Sequence, residues 1–144
     1  APSAHDAVPG LPDEGRLERN MVLVDTSVWV EHFRGGHVRL ETLLNEGLVT
    51  CHPFIVGELA CGNLANRAEI LTLLHTLPMA VDVEHEEVLP FIEKYRLMGK
   101  GLGYIDMHLL ASAMLTGIPL WTLDARLHKV SSMMRIAYEW AGGK

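Results

Sequence analysis

The chain lacks most of the features that would place it quickly. It has only two cysteines, Cys51 and Cys61, in 144 residues. Their spacing fits no CxxC motif, and a disulfide framework needs more of them, so two reduced, partly buried thiols are expected. No apolar run approaches the roughly 20 residues of a membrane span. No signal-peptide pattern is evident, which points to the cytoplasm. Positive charge is also short: 18 acidic residues against 12 lysines and arginines leave a formal net charge of −6. No basic stripe therefore announces nucleic acid. The remaining balance, 49% hydrophobic and 21% charged, is that of a soluble globular protein with one ordinary domain's core.

Residues 1–20 differ from the rest of the chain. They hold Pro2, Pro9 and Pro12 and almost no periodic apolar pattern. They read as a vector-derived tail or a disordered leader, and residues 21–144 as the folded domain. The tail holds four acids and two bases, so −6 minus −2 leaves −4 on the domain.

Five apolar runs suit strands: Val22–Val24, Leu48–Cys51, Met79–Val83, Ile118–Leu123 and, at an edge, Arg135–Trp140. Helices are expected between them. Thr26 or Ser27 caps one through Phe33, stopped by Gly35 and Gly36. Leu40, Leu43 and Leu44 mark a second, ended by Gly47. Pro53 suits the first position of a third, which runs to about Cys61. Arg67–Thr76 shows an apolar side of Ala68, Ile70, Leu71 and Leu74. Glu86–Met98 carries Val88, Leu89, Ile92 and Tyr95 at helical spacing. A glycine-rich connection, Gly99 to Gly103, precedes Tyr104–Leu115, and Asp124–Val130 forms a short last helix. Strands alternating with helices imply right-handed βαβ units: a three-layer α/β/α sandwich with a mainly parallel sheet of four to five strands.

Asp25 and Asp124 each directly follow an apolar strand, and ligands of open parallel sheets bind beyond the carboxyl ends of strands. Asp106 lies in the first turn of a helix that follows the glycine-rich loop, and helix starts face the same crevice. Glu58 sits on a mostly apolar helix, where a charge needs a partner or a metal. Four carboxylates in one crevice repel unless a cation balances them, and oxygen-rich sites select Mg²⁺ or Mn²⁺. Such an ion acidifies a bound water, stabilises charge on a phosphodiester and bridges an acidic protein to an anionic polymer. That answers the objection from net charge.

The runs VDTSVWVEHFRG, FIVGELACG and GYIDMHLLASAMLTGIPLWTLDARL, in this order and spacing, resemble the PIN-domain family. Within it they most resemble the VapC-type toxins of bacterial toxin–antitoxin pairs. The resemblance implies a helix-flanked parallel sheet, Mg²⁺-dependent endonucleolytic cleavage of RNA, and an antitoxin that blocks the site. It assigns the four acids to Asp25, Glu58, Asp106 and Asp124. Ser27 matches a hydroxyl residue that helps hold the site, and Thr122 the hydroxyl before the last acid. Asp25 and Asp106 are then the expected principal metal ligands, with Glu58 ligating or holding a water and Asp124 completing the site directly or through a second water.

Arg126, Arg34 and Lys100 are candidates for phosphate contacts. His108 stands about 200° round the helix from Asp106, which favours packing over ligation. Trp29, Phe33 and Trp121 lie inside apolar segments and are expected in the core. A symmetric dimer is the commonest oligomer and is expected here. Rival readings are a phospho-accepting receiver module, a phosphatase using Asp25 as nucleophile, and a catalytically silent binding domain. A receiver wants an acid pair after its first strand and a lysine after its last. A phosphatase wants a second aspartate where Ser27 stands.

Overall fold

The computed structural model describes residues 20–142; the tail assigned to residues 1–20 lies outside them except for Asn20. Three short parallel strands form the sheet: β1 (Val22–Val24), β2 (Val49–Thr50) and β3 (Leu120–Trp121), in the order β2-β1-β3. Single bridges extend both edges, Cys51 to Met79 beside β2 and Leu120 to Ala137 beside β3. The helices are α1 (Thr26–Gly35), α2 (Val38–Asn45), α3 (Pro53–Ala60), α4 (Arg67–Thr76), α5 (His85–Tyr95), α6 (Tyr104–Thr116) and α7 (Ala125–Met133). All three residues of β1 are buried although successive side chains point to opposite faces, so both faces of the central strand are covered. This is the expected α/β architecture. Among the described residues, no helix is long and apolar enough to cross a membrane.

The strands stop early for identifiable reasons. Pro119 accepts a bond from the Leu23 N–H at 2.9 Å but has no N–H to donate. Beyond Trp121, the N–H groups of Leu123 and Asp124 are taken by the hydroxyls of Ser27 and Thr122. The third expected strand, Met79–Val83, shrinks to one bridge because the Val81 N–H turns to the Thr116 hydroxyl at 2.9 Å.

Several local expectations are corrected. The cap of α1 is Asp25, not Thr26 or Ser27. Leu89 is exposed, off the buried face of α5 that Val88 occupies. Cys61 is exposed and free, while Cys51 is buried and its thiol pushed up to about 11 by desolvation. On α4 only Leu74 is buried; Ile70 and Leu71 are half-buried. Trp29 and Trp121 are in the core, Phe33 packs against it, and His108 is buried edge-on to Phe54 and Tyr104.

His52 holds two site-bearing helices together. It is 0% exposed. Its Nδ1 accepts from the Phe54 N–H at 3.0 Å, capping α3. Its Nε2 lies 3.2 Å from the Ser112 hydroxyl on α6. An accepting Nδ1 requires the neutral ring. Burial lowers the pKa of His52, the Asp82 carboxylate at 3.9 Å opposes that, and His108 adds to it. A depressed imidazole pKa means that the unfolded chain takes the proton first as pH falls. Stability should therefore be full above about 6.5, the ordinary imidazole value, and decline below it. His52→Asn, which keeps an accepting cap, should reduce that decline and leave the part due to His108, whose pKa burial also lowers. Urea midpoints on either side of 6.5 check this; an unchanged pH slope in the variant refutes it.

Candidate active site

The carboxyl ends of β1 and β3 meet through one carboxylate. Asp25 is 7% exposed. Its Oδ2 accepts from the Ser27 and Thr122 hydroxyls, both at 2.7 Å, with the Ser27 N–H further off at 3.4 Å. Each hydroxyl has a single proton, and both are given to Asp25. Their own oxygens then accept backbone N–H groups: Ser27 Oγ from Leu123 at 2.9 Å, Thr122 Oγ1 from Asp124 at 3.0 Å. The 3.2 Å approach of the two hydroxyls is a contact between acceptors whose protons are already placed. Ser27 and Thr122 are thus where the acid needs them.

Asp124 caps α7, its Oδ1 accepting from the Leu127 N–H at 2.9 Å. Asp106 is half-buried in the first turn of α6, and its Oδ2 accepts from the Gly103 N–H at 2.9 Å. Burial raises the pKa of Asp106, and the charges of Asp25 and Asp124 raise it further against the opposing Gly103 bond. Those three acids therefore share one electrostatic environment. Glu58 is exposed on α3, so burial is not what demands a partner for it. Its Oε1 accepts from Thr26 at 2.7 Å, which ties it to the residue after Asp25. Sequence reading missed Thr26 as a site residue; its position beside Asp25, with a hydroxyl to spare, was the available signal.

Each acid has one oxygen engaged in these bonds, and the other has no hydrogen-bond partner among the described residues. Among the described residues no three His, Cys, Asp or Glu side chains stand close enough to form a ready-made metal cluster.

The basic candidates divide. A Cβ on Gly101, whose φ is +80°, would stand 2.9 Å from Arg126 Cδ, so that arginine lies against the glycine loop leading to Asp106. Lys100 instead lines a cavity with Tyr95, Met114 and Met133. Arg34 is in the last turn of α1, eight residues and so about 12 Å along the axis from Thr26.

Replacing Thr122 by valine keeps its shape and removes the hydroxyl. It should leave the Asp124 N–H unpaired and Asp25 with one strong donor, costing roughly 1–3 kcal/mol. A urea midpoint lowered at constant slope is expected; a stability equal to wild type would show that the hydroxyl is dispensable.

Residues 22–132 match the PIN domain family. The chain is 46% identical over 108 residues to Ribonuclease VapC32 of Mycobacterium tuberculosis, a match covering 74% of this chain and 87% of that protein. It is 29% identical over 114 residues to Ribonuclease VapC1 of Methanocaldococcus jannaschii, covering 76% of this chain and 79% of that one. The chain belongs to the PIN-domain family and is of the VapC type.

Proposed function

We propose that the chain is a divalent-metal-dependent endoribonuclease and the toxin of a type II toxin–antitoxin pair, acting in the cytoplasm. The observation that carries this is the placement of Asp25 and Asp124 at the ends of β1 and β3, joined through Thr122, with Asp106 close enough that their charges raise its pKa. The names of the VapC relatives support RNA as the substrate.

The donor set is all oxygen, which suits Mg²⁺ or Mn²⁺. The absence of a tight cluster among the described residues fits Mg²⁺, which keeps several waters and takes one or two carboxylates directly. In this reading Asp25 and Asp106 bind the ion, and Glu58 and Asp124 hold it through water. When bound, it offsets the carboxylate charge and acidifies a water for phosphodiester hydrolysis. The chain's own residues do the rest. Ser27 and Thr122 fix the Asp25 carboxylate, Gly103 fixes that of Asp106, and Thr26 aims Glu58. Arg126, against the glycine loop, is the basic side chain best placed for a phosphate. Neither a receiver nor a silent binding role gains support from any observation.

The antitoxin is proposed to lay an apolar helix across α3 and α4 and to reach the acids with a basic side chain. Supporting this, α4 leaves Leu73 42% exposed beside half-buried Ile70 and Leu71. A symmetric dimer completes the reading.

Asp25→Asn or Asp106→Asn should abolish cleavage of RNA with the circular dichroism spectrum unchanged. Melting adds a test that needs no substrate. Because the folded pKa of Asp106 is raised, its ionised form is less tolerated in the fold, and the penalty shrinks as pH falls through that value. Asp106→Asn should therefore melt higher than wild type in EDTA at neutral pH. Wild type should gain from Mg²⁺, by about 2.7 kcal/mol at 100 times Kd, and the variant should gain less. Equal gains would remove Asp106 from the site. For the partner, Leu73→Asp should weaken binding of the cognate antitoxin in a pull-down while RNA cleavage persists; undiminished binding would move the interface elsewhere.

A further inference from the structure

The chain is poor in aromatic residues: three Trp, three Tyr and three Phe. Yet Trp121, Tyr138 and Trp140 line a single cavity of about 420 Å³. Its remaining wall is Thr122, Leu123, Ala125, His128 and Glu139. Thr122 is the hydroxyl that holds Asp25, and Ala125 follows Asp124. The cavity and the acids are therefore neighbours that share the segment from Thr122 to Ala125.

The rings are held in place by one another. Trp121 meets Tyr138 at 5.5 Å between centroids and Trp140 at 6.3 Å. His37 stands edge-on to Trp121 at 5.0 Å. The Arg39 guanidinium lies over Tyr138 and Trp140, at 5.8 and 5.4 Å from their centroids, and donates to the Tyr138 hydroxyl at 2.8 Å. Arg39 does not line the cavity, and belongs with Tyr138 to a different one. Trp121, 2% exposed, backs the cavity, and the half-buried Tyr138 and Trp140 are its partly exposed rings. Rings fixed beside the proposed phosphodiester-cutting site suit an unpaired base, since single-stranded RNA is recognised by splaying bases onto such rings. The polar edge narrows the choice. Of the polar groups on the wall, the Thr122 hydroxyl proton is given to Asp25, His128 can donate or accept, and the Glu139 carboxylate only accepts. Guanine is the base whose Watson–Crick edge carries two adjacent donors, N1–H and the N2 amino group, which a carboxylate can take together.

We propose that this cavity is a nucleobase subsite that stacks an unpaired base next to the cut position and prefers guanine. The proposal rests on the nuclease reading, and its test separates the two. Guanosine monophosphate is titrated against the protein in EDTA, with uridine monophosphate as comparison, following tryptophan fluorescence. Quenching by the guanine nucleotide at concentrations roughly tenfold or more below those needed for uridine is expected, since stacking and edge contacts each contribute at this scale. Trp140→Leu should lose the quenching difference and Trp140→Phe, which keeps a stacking face, should restore binding. Glu139→Gln should bring the two nucleotides close together.

With an RNA oligonucleotide and Mg²⁺, Trp140→Leu should raise KM by more than it lowers kcat. Nucleotide binding without any RNA cleavage would sink the nuclease reading and leave the subsite. Cleavage with no guanine-selective quenching, and with KM unmoved in Trp140→Leu, would overturn the subsite. So would displacement of the Trp140 signal by the antitoxin alone, with no nucleotide competing.

Discussion

An ionised carboxylate at the end of a fully buried strand has to be given donors, and most of this site is a consequence of supplying them to Asp25. Burial of β1 on both faces leaves Asp25, 7% exposed, with little solvent to stabilise its charge. The Ser27 and Thr122 hydroxyls provide the protons. Having given them up, the same two oxygens accept the N–H groups of Leu123 and Asp124. That diverts the backbone from the sheet ladder, ends β3 at Trp121, and turns the chain so that Asp124 can cap α7. The short strand, the hydroxyl pair and the position of the last acid are one solution to one problem.

Asp106 solves the same problem less completely. Its donor is a backbone N–H in a glycine loop rather than a pair of charge-directed hydroxyls, and burial with two neighbouring carboxylates still raises its pKa. The asymmetry is chemically useful. Asp25 is held at one oxygen by two hydroxyl donors; Asp106 is held at one oxygen by a single backbone N–H and left under electrostatic stress. A site in that state gains most from a cation. Gly101, at φ +80° with Arg126 against it, lets the loop approach closely enough for this arrangement, in a backbone region that a side chain enters only with strain.

Most of the fold and the positions of Asp25 and Asp124 could be read from the sequence because they follow from periodicity and from strand ends. Val22–Val24 is continuous and apolar, so its burial and the place of Asp25 were both visible. Pro53 and the expected end near Cys61 bracketed α3 correctly. The extent of β3 and of the Met79 strand was not legible, because side-chain hydroxyls 96 and 35 residues away compete for their N–H groups. No local pattern encodes such distant competition. The capping error at α1 has a similar origin. Thr26, Ser27 and Asp25 are all good caps by type, and only the three-dimensional demand on each oxygen decides between them. The half-exposed side of α4 was hidden too: its apolar residues fit a helix against a core, and sequence does not say that Ile70 and Leu71 meet that core only in part while Leu73 stays exposed.

The net charge of −6 constrains how such a protein engages RNA. Proteins that rely on lysine and arginine draw affinity from released counterions, and here Arg126 is the basic candidate that lies against the loop leading to Asp106. Attraction must then come from elements that do not depend on net positive charge. In the proposed reading a bound divalent ion is one, and it would act at the phosphate being cut. Aromatic stacking is another, since a π-face holds a base with little regard to phosphate charge. The Trp121, Tyr138 and Trp140 cavity stands beside the acids, joined to them by the Thr122–Ala125 segment. In the proposed reading the division of labour is local: acids and cation would act on the backbone, rings and Glu139 on the base. Because Thr122 belongs to both, the group that fixes the Asp25 carboxylate also fixes the wall against which a base would rest, and the two functions cannot drift apart in the fold.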